Sequence, residues 1–423
     1  MKLGVLGIDR SIAAVVAAAH RAGDTISLVC DVEGNSHNDE MFKGVPVDSD
    51  WEALLDEHRC DAVLVGARGW SDVRAEGVRK LVQAGRHLIV SHPVELSMLW
   101  CYELDMIRQD SKSRIIPCLS DRLHPFLRIL QQQMEASLAG VSPLGDIEGL
   151  SIERRSESRS KDSVLRHLAR DVDLIRALAG DPARLSTFGD ADPTKAWSTL
   201  AVQFTGAAHV TARWQIQGLE FADQQIKNTT FSATIRVTFQ RGICTIDIPS
   251  SRHAIGTWRM SSPDSTSPNN QSILQSLDFD SGAAILQILK NSDLHPHTKI
   301  SLNLDDSLSP ATWSDACRAI ELAETVPRSL DRNRSIELHR EEFSEIGTFK
   351  GTMASLGCGL VLIVLGVLFV ATLLGAIARE AGWEWAEWIA GIWPQFVLSI
   401  LGMFLALQIL PWFIEDRRKS DRE

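Results

Sequence analysis

From Lys2 onward the chain alternates short, wholly apolar runs with longer stretches whose apolar residues recur every three or four positions. Residues 3–6 read as a buried strand, an Ala/Val-rich helix follows, and a second strand ends at Asp31. "DAVLVGA" (61–67) reads as a strand, "SDVRAEGVRKLVQAG" (71–85) as a helix, and "RHLIVSHPVEL" (86–96) as the next strand with its exit turn. Strands separated by helices imply a parallel sheet covered on both faces. After Pro125 the texture changes. "FLRILQQQMEASLAG" and "VLRHLARDVDLIRALAG" keep helical periodicity, whereas "TLAVQFT", "AHVTARWQI", "ATIRVTF" and "GICTIDI" alternate in the manner of an open sheet with one covered face. "PATWSDACRAIELAETV" predicts a last helix and "RSIEL" a short strand, while "SSPDSTSPNNQS" (261–272) predicts a polar loop.

Two further runs are of a different kind. Residues 353–378 and 388–414 contain no charged side chain. Each exceeds the roughly 20 residues a helix needs to cross a bilayer, and soluble helices rarely stay uncharged all round for so long. Trp383, Trp385, Trp388 and Trp393 cluster at the turn between them, where an interfacial aromatic belt belongs. Lys350 precedes the first run and "EDRRKSDRE" follows the second, whereas the turn holds one arginine and three glutamates. The positive residues predict that both ends lie in the cytoplasm. The predicted organisation is 1–120, a dinucleotide-binding-like domain; 121–340, a second α/β domain; 341–352, a linker; 353–378 and 388–414, two spans joined by 379–387; and 415–423, a tail.

Composition narrows the partners. A net charge of −11 argues against a nucleic-acid surface. The seven cysteines are scattered, odd in number and form no C-x-x-C pair, which favours a reducing compartment and no structural zinc. Asp293, His295 and His297 have the look of a metal site, but H-x-H without further placed ligands reads as a loop, and no metal is expected. G-x-S-x-G, P-loop and H-E-x-x-H patterns are absent, which removes support for hydrolase, NTPase and zincin chemistry.

Several strings carry a resemblance. Residues 84–93, "AGRHLIVSHP", look like "AGKHVLVEKP" of the glucose–fructose oxidoreductase, inositol dehydrogenase and rhizopine-catabolism (Gfo/Idh/MocA) family. Arg122-Leu123-His124-Pro125 is similar to its "RF-x-P", and "DVDLIRALAGDP" to its "H-x-x-D-L-L-R-x-L-x-G-x-P". The stretch 313–338 resembles its closing helix and strand, so the likeness covers about residues 1–340 in order. It implies a Rossmann domain followed by an α/β domain with a mainly antiparallel sheet. It also implies NAD or NADP as cofactor, a sugar, polyol or related small molecule as substrate, and homo-oligomers packed through the second domain's sheet.

At the chemistry this chain departs from that pattern four times. Where G-x-G-x-x-G should stand, the loop keeps Gly7 but has Asp9 and Ile12 at the second and third glycine positions. A carboxylate about 4 Å from a phosphate costs roughly 4 kcal/mol at an effective dielectric near 20, about three decades in affinity. Asp9 is also a favoured N-cap, so the helix N-terminus is expected to bind its own anion. In place of the E-K-P lysine stands His92, either a proton donor or a polar residue lining an unused cleft. The H-x-x-D histidine aligns on Arg170, with Asp173 keeping its place; arginine cannot take a hydroxyl proton but can bind a carboxylate or phosphate. His167 lies one turn earlier, about 60° away around an ideal helix. Finally, a family histidine after the third strand is replaced by Asp72 or Arg74. Asp31 survives where a ribose-binding carboxylate is expected, and favours NAD over NADP.

Two functions follow. One is a membrane-anchored scaffold of this family, with degenerate cofactor residues Gly7, Asp9, Ile12 and Asp31, that binds a sugar-like ligand or partner without standard turnover. The other is an active NAD-dependent oxidoreductase, with His92 or His167 as acid/base and Arg170 and Asp173 beside it. In either, the lipid bilayer is a partner. A reporter fused after Glu423 is expected to read as cytoplasmic, and an exterior signal contradicts the two-span topology.

Overall fold

The computed structural model describes residues 1–31, 40–190, 195–206, 210–218, 231–250, 255–263, 272–291 and 308–338, together with Gly366, Phe369, Val370, Leu373, Ile377 and Glu380. The chain forms two compact units, Met1–Leu338 and His339–Glu423.

The first unit starts with strand β1 (Lys2–Leu6), helix α1 (Arg10–Arg21) and strand β2 (Thr25–Cys30). Then come β3 (Val47–Asp48), β4 (Ala62–Val65), α2 (Asp72–Gln83), β5 (His87–Val90), α3 (Met98–Ser111) and β6 (Ile115–Pro117). The strands pair in the order β3-β2-β1-β4-β5-β6, and every pairing is parallel. All four residues of β4 are buried, as are Leu3 to Leu6 of β1. That explains why these strands read as continuous apolar runs: helices cover both faces, and neither set of alternate side chains meets water.

The chain continues through α4 (Pro125–Leu138), β7 (Ile147–Ser156), α5 (Lys161–Ala179), β8 (Pro182–Phe188), β9 (Ala201–Gly206) and β10 (Ala212–Gly218). After these come β11 (Phe231–Phe239), β12 (Gly242–Pro249), β13 (Ile255–Pro263), β14 (Ser272–Asp280), α6 (Ser281–Lys290), α7 (Trp313–Arg332) and β15 (Ile336–Glu337). Nine strands form one sheet in the order β14-β13-β12-β11-β7-β10-β9-β8-β15. Only β7 and β10 run parallel within it. The expected parallel and mainly antiparallel sheets are therefore both present.

Two helices from the second half of the chain pack into the cores of the first. Ile285, Leu286 and Leu289 of α6 join the cluster built on Leu3, Val5, Ile12 and Val16. The approach to α1 is close enough that a Cβ on Gly282 would lie 2.1 Å from the Ala14 carbonyl oxygen, so this crossing admits glycine alone. Trp313, Cys317 and Ile320 of α7 join the cluster around Leu81, Leu88 and Leu104.

Two elements differ from expectation. The polar stretch 261–272 is not wholly a loop: Ser261 to Pro263 close β13, Ser272 opens β14, and residues 264–271 lie outside the described residues. Strand pairing to β13 satisfies that backbone despite the polar sequence. Helix α7 does not stop before Pro327 but runs on to Arg332. Val326 and Ser329, both fully buried, hold the last turn against the core, and packing outweighs the lost backbone bond. The runs 353–378 and 388–414, the linker and tail, and Asp293, His295 and His297 lie outside the described residues, apart from Gly366, Phe369, Val370, Leu373 and Ile377. Those five are helical, and among the described residues no helix is long and apolar enough to cross a membrane.

A buried ion pair joins α5 to the larger sheet. Arg154 of β7 donates through Nε to Asp171 Oδ2 at 2.8 Å and makes a second, parallel contact to Oδ1. Trp214 of β10 donates its Nε1–H to the same Oδ2 at 2.8 Å. Burial pushes the Asp171 carboxyl up, but Arg154 and the indole outweigh it and hold the group below the usual carboxylate range. Replacing Asp171 by Ala leaves a buried guanidinium without its counter-ion, and thermal or urea unfolding is expected to show a loss of about 3–5 kcal/mol. Asp162→Ala, at an exposed pair with Arg166, shifts it little by comparison. Equal effects of the two substitutions contradict the assignment.

Candidate functional site

The turn after β1 is shaped by Gly7, whose φ of +68° lies in the left-handed region. Its amide donates to the Cys30 carbonyl at 2.9 Å, so the turn folds against the end of β2. Asp9 then caps α1. Its Oδ1 accepts from the amides of Ser11 (2.8 Å) and Ile12 (3.1 Å). Its Oδ2 accepts from the Ala67 amide at 2.6 Å, just beyond β4. The carboxylate therefore occupies the amides that a phosphate would use and also ties the β1 turn to the β4 exit. Ile12, at the third glycine position, is fully buried in the core beneath.

A second side chain packs over the same turn. Arg74 sits in the first turn of α2, behind its Ser71 cap, and its side chain is 1% exposed. Its Nε donates to Asp31 Oδ2 at 2.6 Å and its Nη2 to the Asp31 carbonyl at 3.1 Å. Its Nη1 donates to the carbonyls of Gly66 (3.0 Å) and Arg68. The guanidinium lies so close over the turn that a Cβ on Gly7 would meet its Cζ at 2.5 Å. Asp31, the expected ribose ligand, is thus paired within the chain through Oδ2, while its side chain stays 48% exposed.

The candidate acid/base residues divide into two groups. His92 is buried and its Nε2 lies 3.2 Å from the Ala169 carbonyl, so Nε2 carries the proton. Burial pulls its pKa down to about 4, with Arg170 adding to the effect, so near pH 7 it is neutral. Asp173 is fully buried, and its Oδ1 accepts from Arg122 at 2.9 Å. Burial pushes its pKa up to about 6 against the pull of Arg122. Arg122 also lies 3.7 Å from Asp315 of α7, so two strings far apart in sequence meet as a structural tie between α5, α7 and the turn at 120–123.

His167 and Arg170 belong together. Both line a cavity of about 580 Å³ bounded by α1, the 120–123 turn, α5 and the ends of β11 and β12. The Ser156 hydroxyl donates to the Ser158 carbonyl at 2.7 Å and sits 3.2 Å from His167 Nε2, which assigns the proton of that contact to the imidazole. Burial and the neighbouring Arg154 lower the His167 pKa to about 4. A stagger of about 60° on α5 leaves both side chains on the cavity wall. Arg170 has a loose partner in Asp121, 3.8 Å away. Neither His92 nor Asp173 lines this cavity. Among the described residues no group of three or more His, Cys, Asp or Glu is placed to hold a metal.

Arg74 was the residue that sequence reasoning passed over. It appears there only as a substitute for a family histidine, because a long side chain that reaches back across a cleft leaves no local periodicity.

Residues 1–115 match the sequence profile of an oxidoreductase family with an NAD-binding Rossmann fold, GFO_IDH_MocA. No curated protein matches the chain. Among solved structures it is similar to a putative myo-inositol dehydrogenase from Sinorhizobium meliloti, 16% identical over 80% of this chain and all of that one, with a TM-score of 0.57. It is also similar to an oxidoreductase from Agrobacterium radiobacter solved with NAD+, L-tartaric acid and magnesium, at 14% identity, covering 80% of this chain and 98% of that one, with a TM-score of 0.55. A third is the transcriptional regulator Gal80p from Kluyveromyces lactis, at 14% identity, covering 79% of this chain and 93% of that one, with a TM-score of 0.57. At these identities the likeness establishes the fold, a Rossmann domain joined to a mainly antiparallel sheet, and leaves the activity to the site.

Proposed function

We propose that this chain is a ligand-binding protein on a Gfo/Idh/MocA-type oxidoreductase scaffold, one that does not turn over a dinucleotide. The observation that carries this reading is the pairing of Arg74 with Asp31 directly over Gly7, beside an α1 N-terminus already capped by Asp9. Pyrophosphate and ribose need that helix end and that carboxylate. Here both are engaged by the chain's own side chains, and a phosphate drawn to Arg74 would still face Asp9. A fold shared by a putative myo-inositol dehydrogenase and a transcriptional regulator is compatible with either kind of function.

The family match over residues 1–115 and the NAD+-bound neighbour favour a second reading, an active NAD-dependent oxidoreductase acting on a sugar, polyol or related molecule. In it Arg74 swings out when the cofactor enters, and His167, the imidazole on the cavity wall, serves as base. Its lowered pKa keeps it unprotonated at neutral pH but makes it a weak base, which limits its use.

The proposal extends to the C-terminal segment, which anchors the body at the cytoplasmic face of a membrane through 353–378 and 388–414. Val370, Leu373 and Ile377 support this: they recur at helical spacing and are each more than half exposed. An apolar stripe of that kind suits lipid better than water. Pairing of two copies through the nine-stranded sheet belongs to the same proposal.

The deciding experiment is titration of the purified full-length chain with NADH, followed by fluorescence and melting temperature. The scaffold reading expects no saturable response at millimolar cofactor. It also expects Asp9→Gly alone to stay unresponsive, because Arg74 still fills the cleft, and the Asp9→Gly/Arg74→Gly double variant to gain binding by roughly two to three decades. Micromolar binding by the unaltered chain overturns it.

A further inference from the structure

The 580 Å³ cavity next to the closed cleft has an uneven charge balance. Four arginines line it, and two of them are neutralised: Arg154 by Asp171, and Arg21 by Asp280. Arg170 has only the loose contact with Asp121, at a distance too long for a hydrogen bond. Arg10, the first residue of α1, is exposed and makes no ion pair with any described residue. Among the described residues Asp121 is the one carboxylate on the wall, and His167 is uncharged at neutral pH because its pKa lies near 4. In a chain of net charge −11, two guanidinium groups that share less than one counter-ion form a local positive site. Ile248 and Ile285 supply an apolar wall beside them.

The size suits a small molecule. The Ser11 and Ile12 amides at the start of α1 take no part, since Asp9 already holds them. What is left is a pair of planar forks on different elements, a geometry that binds carboxylate or phosphate oxygens and gives nothing comparable to a neutral hydroxyl.

We propose that this cavity binds a small anion-bearing ligand, its carboxylate or phosphate held between Arg10 and Arg170 and its body lying against Ile248 and Ile285. The inference names the ligand class for the ligand-binding function given above. It does not depend on whether a dinucleotide also enters, so the NADH titration and the test below fail independently.

The test uses the full-length chain and isothermal titration at low salt with four probes: inorganic phosphate, glucose 6-phosphate, gluconate and neutral myo-inositol. At least one anion is expected to bind saturably and myo-inositol to bind at least tenfold more weakly; the tighter of glucose 6-phosphate and gluconate tells phosphate from carboxylate. Arg170→Gln and Arg10→Gln each weaken the anion about tenfold or more. Arg170→Lys loses less than Arg170→Gln, and added salt weakens binding. Arg213→Gln, on the exposed side of β10, changes nothing. Circular dichroism confirms that each variant is folded, and a misfolded glutamine variant is replaced in the comparison by the lysine one. No saturable binding by any anion, equal binding of myo-inositol, or an affinity unchanged in the Arg10→Gln/Arg170→Gln double variant overturns the proposal.

Discussion

The contact between Arg74 and Asp31 is the constraint on which the functional account rests. It places an almost fully buried guanidinium over a turn that only glycine can make, and it engages one oxygen of the carboxylate expected to face a ribose. The guanidinium donates to three backbone carbonyls as well, at Asp31, Gly66 and Arg68, so most of its hydrogen-bonding capacity is spent inside the chain. An arginine held this way costs no counter-ion from solvent and stitches the ends of β2, β4 and α2 together. The phosphate loop is closed by the same logic with opposite charge: Asp9 satisfies two free amides of α1 and one beyond β4.

The same replacement of ligand contacts by internal ones appears in the second half of the unit. Asp173 sits where the resembling family keeps a catalytic-motif carboxylate, yet it is fully buried against Arg122. Arg170 takes the place of the histidine beside it and leaves α5 facing a cavity with cationic chemistry. Asp171, between the two, turns inward to Arg154 and Trp214 and fixes the helix on the sheet. Three residues within about one turn of α5 thus divide into one open cation and two buried anions. The molecule keeps an open cavity lined by Arg10 and Arg170.

Much of the fold was legible in the sequence, and the exceptions have physical causes. The parallel strands announced themselves as apolar runs because both their faces are covered. Helices α4 and α5 carried clear periodicity, and β9 to β12 alternated because one sheet face meets the core. Strands β13 and β14 flank the polar stretch 261–272 and were not read from the sequence: β14 is exposed over its first seven residues, so its apolar side chains show no buried face, and pairing to β13 holds it. Proline at 327 disguised the end of α7 because packing, which sequence does not display, carried the helix past it. At the site, the Asp9 cap was readable from local rules, since a cap acts within three residues. The Arg74 contact spans from residue 74 to residue 31 and depends on the fold bringing three strand ends together. His167 and Arg170 could be placed on one helix from spacing alone, but their shared cavity required the second sheet.

The most direct measurement is a crystal structure of the full-length chain grown with excess NAD+. The expected result is Arg74 still paired to Asp31 over Gly7, Asp9 still on the Ser11 and Ile12 amides, and no dinucleotide density along the turn. A dinucleotide seated there, with its ribose on Asp31 and Arg74 displaced, contradicts it.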